Sequence, residues 1–135
     1  MNTYLKGFFL FTDIGFLLYW TITIMGLIPK EYLYQDYQNH LLVIWNWSFF
    51  PLDIFISFTG FFSLYLHRKE DTKWMMWAII SLTLTFCSGL QAIVFWAMKQ
   101  DFDLTWWIPN LYLLIYPLLF IPILLKSSRR PLSFH

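Results

Sequence analysis

The sequence predicts an all-α fold: an integral membrane four-helix bundle with antiparallel neighbours and both termini in the cytoplasm. Three observations predict it. The 135 residues are 59% hydrophobic and 23% aromatic but only 13% charged, whereas a soluble domain carries roughly 25% charge. The apolar residues fall into four runs, each about 20 residues or longer, the length that crosses a hydrocarbon core roughly 30 Å thick. The basic residues cluster at alternate connections between these runs, as the positive-inside rule requires.

The runs set four spans in one membrane domain over residues 1–135, at roughly 8–28, 41–66, 74–98 and 106–125. The first differs from a secretory signal peptide. Only Lys6 precedes it, it is longer than an h-region, and no A-x-A-like site follows. Pro29-Lys30 ends it, and a polar loop with Glu31, Asp36, Tyr32, Tyr34 and Tyr37 follows; tyrosine there suits a lipid–water interface. The second span is longer than the bilayer core and is expected to tilt, to begin in the interface at Trp45 and Trp47, or to bend at Pro51, which leaves the carbonyl of residue 47 without its helical donor. The third carries Trp74 and Trp77 at one end and Trp96 at the other, an aromatic belt at both interfaces. The fourth is interrupted by Pro109, Pro117 and Pro122. The runs are too long and too uniformly apolar for barrel strands, which are about ten residues with alternating polarity.

Orientation follows from the basic residues. Lys6, Arg68, Lys69, Lys73, Lys126, Arg129 and Arg130 lie on one side of the four-span scheme, and Lys30 and Lys99 on the other. This predicts a multi-pass plasma-membrane protein with cytoplasmic N and C termini. The formal net charge of +1 supplies no field for nucleic acid, so the bilayer is the expected partner. The single cysteine, Cys87, excludes an internal disulfide and any Cys-x-x-Cys chemistry. There is no Gly-x-Ser-x-Gly, no His-Glu-x-x-His and no phosphate-binding glycine loop. His40, His67 and His135 sit at span ends or at the terminus. No metal and no cofactor are expected.

The residue most costly to place is Asp53, within Phe49-Phe50-Pro51-Leu52-Asp53-Ile54-Phe55-Ile56-Ser57. An ionised aspartate at a helix centre costs about 2.5–3.5 kcal/mol on insertion scales and commonly faces a bundle interior. Asn46, Asp53, Ser57, Gly60, Ser63 and His67 share one helical stripe. The stripe reads either as a polar lining of a cavity ending at His67 or as a packing seam of small and hydrogen-bonding residues. Asp13 lies nearer the cytoplasmic end of span one. It reads as a carboxylate reaching for water or for a basic residue, or as a second intramembrane acid too shallow to share a proton with Asp53. Ser81, Thr85, Ser88 and Ala92 make a small-residue face on span three, beside Gln91. Gln91, Asn110 and Tyr116 are the candidate partners of Asp53 from other helices, and Cys87 reads as a buried thiol.

The whole chain, through the Phe-Pro-Leu-Asp-Ile-Phe stretch at 50–55 to the Lys126-Ser127-Ser128-Arg129-Arg130 tail, resembles the YvaD-like family of uncharacterised small four-span bacterial membrane proteins. The resemblance implies a plasma-membrane location and no mechanism. Asp13, the Leu27–Tyr32 stretch, Asp53 and Tyr112–Pro122 are also similar in arrangement to the sterol-isomerase and sigma-2-receptor group. That likeness implies four helices around an apolar ligand cavity and no catalytic role.

Three functions compete on these residues. In the first, Asp53 binds a proton or an apolar or cationic small molecule, as in proton-linked transport, with Ser57, Asn46, Gln91, Asn110, Tyr116 and Asp13 around it. In the second, the chain is a non-catalytic accessory subunit, or pairs as a homodimer, through its aromatic surfaces. In the third, Asp53 is an acid or base toward a lipid-like substrate, which needs a second polar group in hydrogen-bond reach. The first is placed ahead.

Overall fold

A computed structural model describes residues 3–26 and 40–128. Four helices account for nearly all of them: α1 (Thr3–Met25), α2 (His40–Arg68), α3 (Trp74–Met98) and α4 (Leu104–Ser128). All four are long and apolar enough to cross a membrane. The span expected at 74–98 coincides with α3. The other three helices run beyond their expected spans at the end that carries the chain termini, so Lys6, His67 and Lys126 are helical. The loop that holds Pro29 and its three tyrosines, together with Arg129 and Arg130, lies outside the described residues.

Two short connections explain why neighbours run antiparallel. α2 and α3 both close with Glu70 and Gln100 in the left-handed region, at φ 56° and 59°. At the first closure the Asp71 N–H donates to the Leu66 carbonyl (3.0 Å) and the Glu70 N–H to His67 (3.1 Å). At the second, Asp101 donates to Trp96 (2.9 Å) and Gln100 to Ala97 (3.0 Å). Each pair satisfies carbonyls that a helix end leaves open. Carboxylates then start the next helix. Asp71 Oδ1 accepts from the Lys73 N–H and Asp103 Oδ1 from the Thr105 N–H, both at 2.9 Å. Asp103 therefore caps α4, whereas Asp71 makes a turn two residues before the Lys73 N-cap of α3.

The helices pack in ring order, α1 on α2, α2 on α3 and α3 on α4. Small residues set the closest approaches. At Gly89 an added Cβ would lie 2.7 Å from the Leu114 nitrogen and 2.8 Å from the Asn110 carbonyl oxygen, so only glycine lets α3 and α4 come so near. Ser81 and Ser63 donate to the carbonyls of Ile56 and Trp74, tying α2 to α3 at 3.1 and 2.8 Å. α1 and α4 meet through rings. Phe8 stacks on Tyr116 with centroids 5.0 Å apart, and Thr12 shares a 2.9 Å hydrogen bond with Tyr112.

α2 stays helical through Pro51, and α4 through Pro109, Pro117 and Pro122. Pro51 is exposed on the outside of the bundle. The two halves of the bundle are packed differently. The half nearest the termini is filled by Leu5, Phe9, Ala78, Leu82, Tyr116, Phe120 and Leu124. The opposite half is hollow.

Candidate functional site

The hollow is a cavity of about 410 Å³ to which all four helices contribute. α1 supplies Phe16, Tyr19 and Trp20, and α2 supplies Leu42, Trp45, Asn46, Phe49 and Asp53. α3 adds Ser88, Ala92 and Trp96, and α4 adds Thr105, Trp106, Pro109, Asn110 and Leu113. On each helix the residue farthest from the loop end of the cavity is Phe16, Asp53, Ser88 or Leu113. These four form its floor, and Asp53 is the one ionisable group there.

Asp53 is 5% exposed. Its Oδ2 accepts a 2.8 Å hydrogen bond from the Trp20 indole N–H. Its Oδ1 is buried and has no hydrogen-bond partner, although Ser88 stands beside the carboxyl. Trp20 is held for this contact by Trp47 and Phe50, each with its ring centroid 5.2 Å away. Higher in the wall, Trp45 stacks on Phe95 at 4.0 Å and meets the edge of Trp96 at 5.5 Å. Asn46 Oδ1 accepts from the Tyr19 hydroxyl at 3.3 Å, and its buried Nδ2 has no partner. A carboxyl oxygen and an amide nitrogen thus stand without partners in an otherwise aromatic wall, where an unmet polar group costs several kcal/mol.

The expected site residues separate into three groups. Asp53, Asn46 and Asn110 meet in the cavity, although the Asn110 amide is spent on the Trp106 carbonyl at 2.7 Å. Ser57 and Asp13 lie below it, between α1 and α2. Ser57 donates to the Asp13 backbone carbonyl at 3.1 Å. The third group corrects the expectation. Gln91 is exposed and does not line the cavity, because it sits one position off the buried Ser88–Ala92 face. Tyr116 is buried in the filled half among Phe8, Tyr112 and Phe120, a level away from Asp53. Cys87 is also exposed rather than buried.

Asp13 needs a further correction. Among the described residues it pairs with no basic residue: it is 0% exposed, and neither carboxyl oxygen has a hydrogen-bond partner there. The carboxyl occupies the notch at Gly60 of α2, where any Cβ would collide with it. Gly60 lies seven residues beyond Asp53 on α2, about 10 Å along the axis, so the expected separation of the two acids in depth is present.

The stripe on α2 divides in the same way. Ser57, Gly60 and Ser63 are packing contacts, and His67 stands edge-on to Trp74 at 5.1 Å. Only the Asn46–Asp53 end lines the cavity. Sequence reasoning missed Trp20 and Ser88 as neighbours of Asp53. A signal for Trp20 was present: an indole N–H several residues inside a span requires an acceptor.

Residues 5–131 match the model of a family of unknown function, DUF5360. The chain belongs to this family. It is 56% identical over 127 residues to the uncharacterized protein YvaD of Bacillus subtilis (strain 168), covering 94% of this chain and 96% of that protein. No solved structure matches the chain. Among the described residues of this DUF5360 chain, no group of three or more His, Cys, Asp or Glu side chains is placed to hold a metal ion.

Proposed function

We propose that this DUF5360 protein is a multi-pass plasma-membrane protein that binds a small organic cation with an apolar body in the Asp53 cavity. The observation that carries this reading is the Asp53 carboxyl itself. One oxygen is fixed by Trp20 and the other is unpartnered, at the floor of a cavity walled by Trp, Tyr and Phe. A cationic head meets a countercharge there, and the ring faces add cation–π attraction of about 0.5–2 kcal/mol each. A volume of about 410 Å³ lies within the range of small-molecule sites. A neutral substrate without a hydroxyl or amide donor would leave the carboxyl oxygen unmet.

With the basic residues Lys6, Arg68, Lys69, Lys73 and Lys126 at the terminal end, the positive-inside rule puts the termini in the cytoplasm and turns the hollow half outward. The ligand then enters from the outer side and stops at the filled half. Passage to the cytoplasm would need the aromatic packing of α1 against α4 to open. The reading is therefore a binding or transport-type protein loaded from outside.

The test is equilibrium binding of benzyltrimethylammonium to the purified full chain, in competition with its uncharged carbon isostere, neopentylbenzene. Saturable binding of the cation, with the isostere at least tenfold weaker, is the expected result. Equal affinity for the two would remove the carboxyl from recognition.

A further inference from the structure

The cavity leaves one buried acid unused. Asp13 projects from α1 into the Gly60 notch of α2, and Asp53 projects from α2 to Trp20 of α1. The two acids are reciprocal contacts of one helix pair. Between them Ser57 of α2 donates to the Asp13 carbonyl. Around Asp13 the otherwise apolar half of the bundle carries a hydroxyl group cluster: Thr12 bonded to Tyr112, with the Tyr116 hydroxyl buried and unpartnered nearby. Among the described residues, Tyr112 and Tyr116 of α4 are the titratable groups that face Asp13, and α2 presents Ser57 and Gly60 to it. For Asp53 the facing polar groups are Trp20 of α1 and Ser88 of α3.

We infer that Asp13 is a second, proton-exchanging site on the terminal half of the α1–α2 interface, coupled to ligand occupancy at Asp53. A carboxyl with no donor to either oxygen has one small partner that fits a closed notch, a proton. The step balances as Asp13 carboxylate plus a proton giving the carboxylic acid, with the proton exchanged with the cytoplasmic side past the Thr12–Tyr112–Tyr116 hydroxyls. Coupling follows from the shared interface. A cation that binds the free Oδ1 pulls on a carboxyl that Trp20 holds by Oδ2, and so strains the same α1–α2 contact that closes the Asp13 notch. The coupling rests on the cation reading above; the proton site does not.

Infrared difference spectroscopy on the reconstituted full chain separates the two. The pH-induced spectrum needs no ligand, and two carboxyl C=O signals are expected, one lost in Asp13→Asn and the other in Asp53→Asn. A pH-induced spectrum unchanged by Asp13→Asn overturns the proton site. Should Asp13→Asn fail to fold, Gly60→Ala reads the same site: it displaces the carboxyl without altering its chemistry, and must shift the Asp13 signal; an unmoved Asp13 signal overturns the proton site. Addition of benzyltrimethylammonium to the wild-type chain must also perturb the Asp13 signal. A cation that binds and leaves that signal unmoved overturns the coupling. A cation that does not bind at all overturns the cation reading and, with it, the coupling, whereas the pH-induced spectrum still decides the proton site.

Discussion

At Asp53 the indole of Trp20 fixes one carboxyl oxygen and so aims the other. The indole N–H reaches Oδ2 at 2.8 Å, while its ring packs against Trp47 and Phe50. Trp20→Phe keeps most of the ring contact and removes the donor. Interhelical hydrogen bonds of this kind in membranes are worth about 1 kcal/mol. We therefore expect a lower thermal midpoint for Trp20→Phe in detergent, with the loss regained on saturation by benzyltrimethylammonium, whose charge then meets both oxygens. A midpoint that falls equally with and without the cation would show that Trp20 serves packing alone. The sequence made Asp53 conspicuous because a carboxyl inside an apolar run has a high insertion cost. It did not identify its partner. Gln91, Asn110 and Tyr116 are the polar residues a reader would pick, but partner choice depends on helix rotation. A rotation of one residue position separates exposed Gln91 from buried Ala92 and Ser88.

At the level of helices, glycine and the helix ends decide the geometry. The Gly89 contact is made by backbone atoms of α4, which cannot turn aside. Gly89→Ala is expected to force α3 from α4 and to destabilise the bundle by about 1–3 kcal/mol, as overpacking does. Gly15→Ala is its control. Nothing lies within 4 Å of a Cβ there, and mid-helix alanine is favoured over glycine by about 0.5–1 kcal/mol. Unfolding of the two variants in parallel checks the contrast. A comparable loss at both positions would contradict the packing described. The left-handed residues offer a change of opposite sign. Gln100 is exposed at φ 59°, so Gln100→Gly is expected to stabilise the chain by roughly 1 kcal/mol. Helix identity and approximate bounds were legible because twenty apolar residues have few other uses. The two closures at Glu70 and Gln100 were not legible, because neither uses the glycine or asparagine that marks such an end.

Across the whole molecule, the contrast between a filled and a hollow half is what makes a function arguable. Rings of α1 and α4 seal the terminal half, and the opposite half is open down to Asp53. Neither hydropathy nor charge bias carries this contrast, because Phe, Tyr and Trp are plentiful in both halves. Orientation, by contrast, rests on sequence alone through the basic residues. A green fluorescent protein fused after the C terminus is expected to fluoresce, and alkaline phosphatase fused at the same point to be inactive. The reverse pair would turn the cavity toward the cytoplasm. The central claim is recognition of a cation by the Asp53 carboxyl, and its most direct test is the dissociation constant of benzyltrimethylammonium for the Asp53→Asn chain beside the parent. The substitution keeps the shape and removes the charge. Binding at least tenfold weaker, a loss of about 1.4 kcal/mol or more, is expected in a variant that remains folded; an unchanged dissociation constant would remove the carboxylate charge from recognition.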